Sequence, residues 1–279
     1  RRRETPQATH DEAAVEHYKT AVELSAGKHA ESLAALRRIH GQEQDWHATA
    51  RVLEQQVASA ETAEARTSAL TELGRVHLQG LGEPERAAHF FQAALAEDPQ
   101  NARASAALGE YHALAGRWAE AEPLLETAAK ASDGASSSPA DRQRLQSLLG
   151  QVRAALGKDS GALSAYEASY RANPKDLATL KALAAIRFKH GDWEEAFKLH
   201  QLLLVEHRTD LTNAEVLDGF LRLGDIKVEQ GQARRAVDMY AKALEVDAHH
   251  RPAIAAAIRA QALEADWDSV IQLKKRLID

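Results

Sequence analysis

Thirteen histidines and forty-one acidic side chains are enough for a metal site or an acid–base pair, so their spacing decides whether chemistry is present. No H-E-x-x-H or comparable ligand set occurs. His249 and His250 are adjacent, so their side chains diverge on a helix or turn. The 279-residue chain has no cysteine, which removes disulfides, thiolate metal sites and a thiol nucleophile. It has neither a G-x-S-x-G turn nor a phosphate-binding glycine loop. The carboxylates alternate with Arg and Lys as they do on solvated helix faces. The residues point away from catalysis, metals and cofactors.

What recurs is a packing pattern. In Ala102–Lys130, two amphipathic stretches flank the turn Ala115-Gly116-Arg117. Trp118, Ala121, Leu125 and Ala128 fall at 3-4-3 spacing, on one face of the second helix. Gly109 stands mid-helix, where glycine costs about 1 kcal/mol relative to alanine. Even so, a Leu-Gly pair recurs at Gly74, Gly109, Gly150 and Gly224, with Leu183-Ala184 once in its place. A small residue follows in the next helix (Ala87, Ala121, Ala162, Ala196, Ala236), then a large one four positions on (Phe91, Leu125, Tyr166, Tyr240). The expectation is that the small residues let two helices approach closely and the large ones fill the space where they splay.

The anchors lie 35, 41, 34 and 40 residues apart, and Asp98-Pro99 and Asn173-Pro174 close two units. This spacing and pattern resembles the tetratricopeptide repeat family. The resemblance implies an all-α fold, a right-handed α-solenoid of antiparallel helix pairs. It also implies that first helices line a concave groove that binds peptides or other proteins.

Taken in order, residues 1–27 read as an arm and an orphan second helix (about Asp11–Ser25) of a truncated repeat. The chain opens Arg1-Arg2-Arg3 without an initiating methionine, the pattern of a fragment or of a natural helical cap after a short arm. Residues 28–61 form a degenerate repeat with Arg37 at the anchor, and 62–131 hold two clear repeats, with one extra residue in the turn around Gly80–Pro84. Residues 132–139, rich in serine, read as a flexible loop. Residues 140–248 hold three repeats; the long interval at 205–213 predicts longer helices. Residues 249–279 form a degenerate last pair, all within one solenoid. Trp46, Trp118, Trp193 and Trp267 each fall just inside a second helix and are expected to plug its turn.

The exposed stripe of each first helix follows from spacing. Positions −6, −3, +1 and +4 from the anchor share a face away from the packing side. The candidate binding residues are Arg38, Arg75, Leu78, Arg103, Glu110, Arg144, Gln151, Lys181, Phe188, Asp218 and Asp225. Cations collect on the earlier repeats and Asp218 and Asp225 on the last clear one, which fits an acidic or mixed-charge protein segment. Chaperone-binding family members use paired lysine and asparagine on this stripe; here only Lys181 fits. A net charge of −6 and few groove aromatics argue against nucleic acid. No apolar run reaches membrane-spanning length. The placement expected is cytoplasmic, with the periplasm open, and an arginine-rich, alanine-rich composition fits a GC-rich bacterial genome. A second reading is a docking arm of a longer protein whose catalytic domain lies outside these residues. Oligomeric state and partner identity are not encoded in these patterns.

Overall fold

The structure, a computed structural model, describes residues 6–25, 29–132 and 138–278. Among them are fifteen α-helices and no strand. Helix α1 (Pro6–Leu24) precedes seven hairpins. These are α2 (Ala30–Gln42) with α3 (Trp46–Ser59), α4 (Ala63–Arg75) with α5 (Pro84–Glu97), and α6 (Ala102–Leu114) with α7 (Trp118–Ser132). Next come α8 (Pro139–Ala155) with α9 (Asp159–Ala172), and α10 (Leu177–Lys189) with α11 (Trp193–Glu206). The last are α12 (Asn213–Glu229) with α13 (Ala233–Val246), and α14 (Arg251–Leu263) with α15 (Trp267–Ile278). The chain divides between Asp141 and Arg142 into two compact units. In each, helices pack on their neighbours in sequence, so the fold is an all-α solenoid of helix pairs. The Arg1–Arg3 triplet and most of the expected 132–139 loop (residues 133–137) lie outside the described residues.

Starts and stops follow local chemistry. Asp45, Thr62, Asn101, Asp176 and Thr212 cap helices by accepting a hydrogen bond from a backbone N–H three residues on. His29 and His250 do the same through Nδ1. Between the helices of a pair, the chain turns through a residue with positive φ, as at Gly116 (71°). The next N–H, of Arg117, donates to the His112 carbonyl at 2.9 Å and closes the helix end. The degenerate first and last pairs keep this geometry with Gln44 and Ala265, both at φ 58°.

The anchor glycines do something more specific than the sequence implies. Ala87, Ala121, Ala162 and Ala236 are buried as expected, none more than 1% exposed. Yet the space left by each glycine's missing side chain is filled by the large residue four positions further on. A methyl at Gly150 would stand 2.7 Å from Tyr166 Cδ1, at Gly109 2.8 Å from Leu125 Cγ, and at Gly74 2.6 Å from Phe91 Cε1. The glycine is the socket for that ring or branched chain. Where the anchor is Ala184, the matching position holds the slimmer His200.

Both irregular lengths have structural solutions. The extra residue near Gly80 is taken up inside the helix, not in the turn: Val76–Gly80 forms a π-helical turn, with Leu81 N–H donating to the Val76 carbonyl at 3.0 Å. The long intervals each add a turn to a first helix. Helices α8 and α12 run 17 residues where α6, α10 and α14 run 13. The second of these also includes a six-residue connection, 207–212, ahead of the longer helix.

Candidate functional site

In the second unit, the predicted stripe residues converge. Lys181, Ala185 and Phe188 of α10 face Asp218 of α12 across a pocket of about 730 Å³, walled by Leu203, Leu204 and Leu211. Phe188 also borders a second pocket, of about 700 Å³, with Asp225 and Val228 of α12 and residues of α14. Arg222 belongs to both. Its guanidinium lies 4.7 Å from the Phe188 ring centroid, a cation–π stack that partitions the two cavities.

Of the four carboxylates lining these pockets, Glu215, Asp225 and Asp218 have partners. Lys181 Nζ lies 2.5 Å from Glu215 Oε1, joining α10 to α12. The other Glu215 oxygen accepts from the Thr212 N–H at 2.8 Å and hydroxyl at 2.9 Å, completing a capping box. The Lys181 ammonium and the two Thr212 donors hold the Glu215 carboxyl down to about 2. Asp225 accepts the Tyr240 hydroxyl at 2.8 Å, and burial together with that bond pushes the phenol above its usual range. Asp218 meets Arg222 Nε at 3.4 Å. Beneath the first pocket His200 is 8% exposed, and its Nε2 is buried without a hydrogen-bond partner. Burial pushes its pKa down to about 4, against a smaller opposing pull from Asp218. The imidazole is therefore neutral at pH 7.

The first unit presents a different surface. Arg103 of α6, with Ser68, Thr71 and Glu72 of α4, borders a pocket of about 620 Å³ that also takes in Glu64, Glu97 and Asp98. Arg75 is engaged within its own helix, its Nη2 lying 2.7 Å from Glu72 Oε2. Leu78, carried on the π turn, is half-buried against the cluster of Leu70, Ala87 and Phe91. Arg38, Arg144 and Gln151 are exposed on α2 and α8, and Glu110 is half-buried on α6.

The stripe rule thus brings Lys181, Phe188, Asp218 and Asp225 together, and it places Arg103 in a separate pocket. It misses His200, Arg222 and the leucine wall. His200 was open to discovery, because it occupies the position of Phe91, Leu125, Tyr166 and Tyr240. Trp193 packs on its own turn as expected, its Cζ2 3.5 Å from where a methyl on Gly191 would stand, but other tryptophans depart from the turn-plug expectation. Trp46 lies on Gly80 of the following pair, where a methyl would stand 2.5 Å from Cδ2. Trp193 meets Phe188 edge-on at 5.5 Å and borders the second pocket, while Trp267 is 61% exposed. Among the described residues no group of three or more His, Asp or Glu side chains could hold a metal ion, and no helix is long and apolar enough to cross a membrane.

Comparison with known proteins agrees with the repeat pattern. Residues 78–152 and 217–250 each match a sequence profile of the tetratricopeptide repeat. No curated protein sequence matches. Among solved structures, YrrB, described as a TPR protein with an unusual peptide-binding site, superposes with a TM-score of 0.55 at 20% identity, over 67% of this chain and 90% of that one. A tetratricopeptide repeat protein from Parabacteroides merdae gives 0.52 at 14% identity, over 89% and 98%. The complex of Naa15/Naa10 bound to HypK-THB gives 0.60 at 16% identity, over 88% of this chain and 36% of that one. With repeat profiles in both units and helix hairpins throughout, the chain belongs to the tetratricopeptide repeat family.

Proposed function

We propose that this chain is a non-enzymatic protein-interaction scaffold that holds an extended segment of a protein partner, acidic or of mixed charge, against the inner stripes of its first helices. The observation that supports this most directly is the convergence of α10, α12 and α14 on two adjoining pockets of ligand-binding size. The fold is shared with YrrB, a TPR protein with a peptide-binding site, and peptide binding is the role we transfer from it. Arg103 and Arg144 supply cations on the stripes of α6 and α8, and Arg222, beside the stripe of α12, supplies one at the two pockets.

A random dodecapeptide display library panned on the full chain tests the reading, with affinities of resynthesised peptides measured by fluorescence anisotropy. The expected result is a set of micromolar binders weakened at least tenfold by the Arg103→Glu/Arg144→Glu double reversal or by Arg222→Glu, with helical circular dichroism unchanged. An empty selection, or binders indifferent to every reversal, would refute it.

A further inference from the structure

The two pockets in the second unit differ from the rest of the stripe for reasons visible in the sequence, and they define the kind of segment they fit. At the position after the anchor, other repeats carry Arg75, Glu110, Gln151 or Asp225; α10 carries Ala185, which is exposed and opens the floor. The position that elsewhere holds a phenyl, phenol or leucine side chain holds His200. On the facing helix Gly219 is buried, and a methyl there would stand 3.1 Å from Leu204 Cδ2. Three small or slim residues coincide, and the result is a cavity of about 730 Å³ walled by leucines.

Arg222 sits at the edge of that cavity with its Cζ over the Phe188 ring and, among the described residues, a polar contact only through Nε to Asp218, at 3.4 Å. Its Nη edge is free for a two-point contact with a carboxylate, the geometry a guanidinium favours. The neighbouring acids Glu215 and Asp225 are already bonded to Lys181 and Tyr240, so they do not compete for it.

We infer that this pocket is the specificity subsite of the groove: it takes one large apolar side chain of a bound peptide, while an Asp or Glu close to it in that peptide pairs with Arg222. The inference rests on the scaffold reading above and names the chemistry of the partner. It requires an uncharged floor, which the buried, neutral His200 supplies.

The test uses the same dodecapeptide library and the full chain. Selected peptides should share a large apolar residue with Asp or Glu within two positions. Ala185→Phe, which fills the cavity from an exposed helix position, should weaken their binding at least tenfold, the loss expected for one buried apolar side chain. Gln201→Phe, which introduces the same side chain on an exposed face of α11 away from the pockets, should leave binding within twofold. Arg222→Ala should cost at least fivefold for the parent peptide and nothing further once the peptide acid is replaced by its amide. Peptides that bind but ignore Ala185→Phe, or that lack the apolar–acidic pair, would overturn this assignment while leaving the scaffold function standing. An empty selection would overturn both.

Discussion

Replacing Gly224 by alanine probes the socket rule where it is tightest. The added methyl would stand 2.7 Å from both Cδ1 and Cζ of Tyr240 and closer still to Cε1, against an ordinary contact of about 3.5 Å. The ring cannot retreat easily: Tyr240 is 2% exposed and clusters with Ala256, Ala257 and Ala260. Its hydroxyl is also tied to Asp225 at 2.8 Å. The helix gains about 1 kcal/mol from losing a glycine. Overpacking a filled site costs about 1–3 kcal/mol, and the strained hydrogen bond about 1 kcal/mol more. The net expectation is destabilisation by about 1–3 kcal/mol. Gly41→Ala, where nothing lies within 4 Å of the new methyl, should instead be neutral or stabilising by up to about 1 kcal/mol. The natural pair Ala184 with His200 supplies the rescue: in Gly224→Ala/Tyr240→His the two changes should couple favourably by at least about 1 kcal/mol. Urea denaturation followed by circular dichroism gives the stabilities, and amide exchange in α12 localises the effect. If Gly224→Ala is as stable as the parent, or the double variant shows no coupling, the socket argument is wrong.

Other outcomes follow from the geometry. His200 is neutral when folded, with its pKa lowered to about 4. As pH falls from about 6.5 to about 4 the unfolded chain takes up a proton that the folded one refuses, so stability drops by up to about 3 kcal/mol and then levels off. His200→Leu should remove that component of a pH-dependent urea titration. The Glu215 carboxyl, held at about 2, stabilises above the ordinary carboxylate range and loses its effect as pH falls through about 2. In an NMR titration Lys181→Met should move the Glu215 midpoint up, but only part of the way to an ordinary glutamate, because both Thr212 contacts remain. Ala265→Gly should stabilise the last hairpin by about 1 kcal/mol by relieving a left-handed backbone, measured by thermal melting.

The architecture is readable in the sequence because it is written several times over. A Leu-Gly pair, an alanine a dozen residues on and a ring four beyond it fix how two helices meet, and the turn chemistry around Gly116 fixes where they reverse. The stripe positions follow from the same arithmetic, which is why Lys181, Phe188, Asp218 and Asp225 could be named and do meet. What escaped depends on contacts between hairpins, which no single repeat displays. Trp46 covers the backbone of the next pair's Gly80. The subsite above His200 exists because residues on three helices are small together. Arg222 lies between predicted stripe positions, and only the aromatic face of Phe188 gives it a role. The charge pattern along the stripe was visible as well, but the bonds from Arg75 to Glu72 and from Lys181 to Glu215 consume cations that spacing alone leaves free.

The π turn at Val76–Gly80 bears on how such arrays change length. One surplus residue is looped into the coil of its own helix, so α5 begins in phase and Ala87 and Phe91 still seat against α4. A glycine at the bulge lets the preceding tryptophan lie flush on the widened coil. Single-residue insertions are thereby quarantined where they arise. Connector length and hairpin spacing can then drift separately, without the register of downstream helices being rewritten.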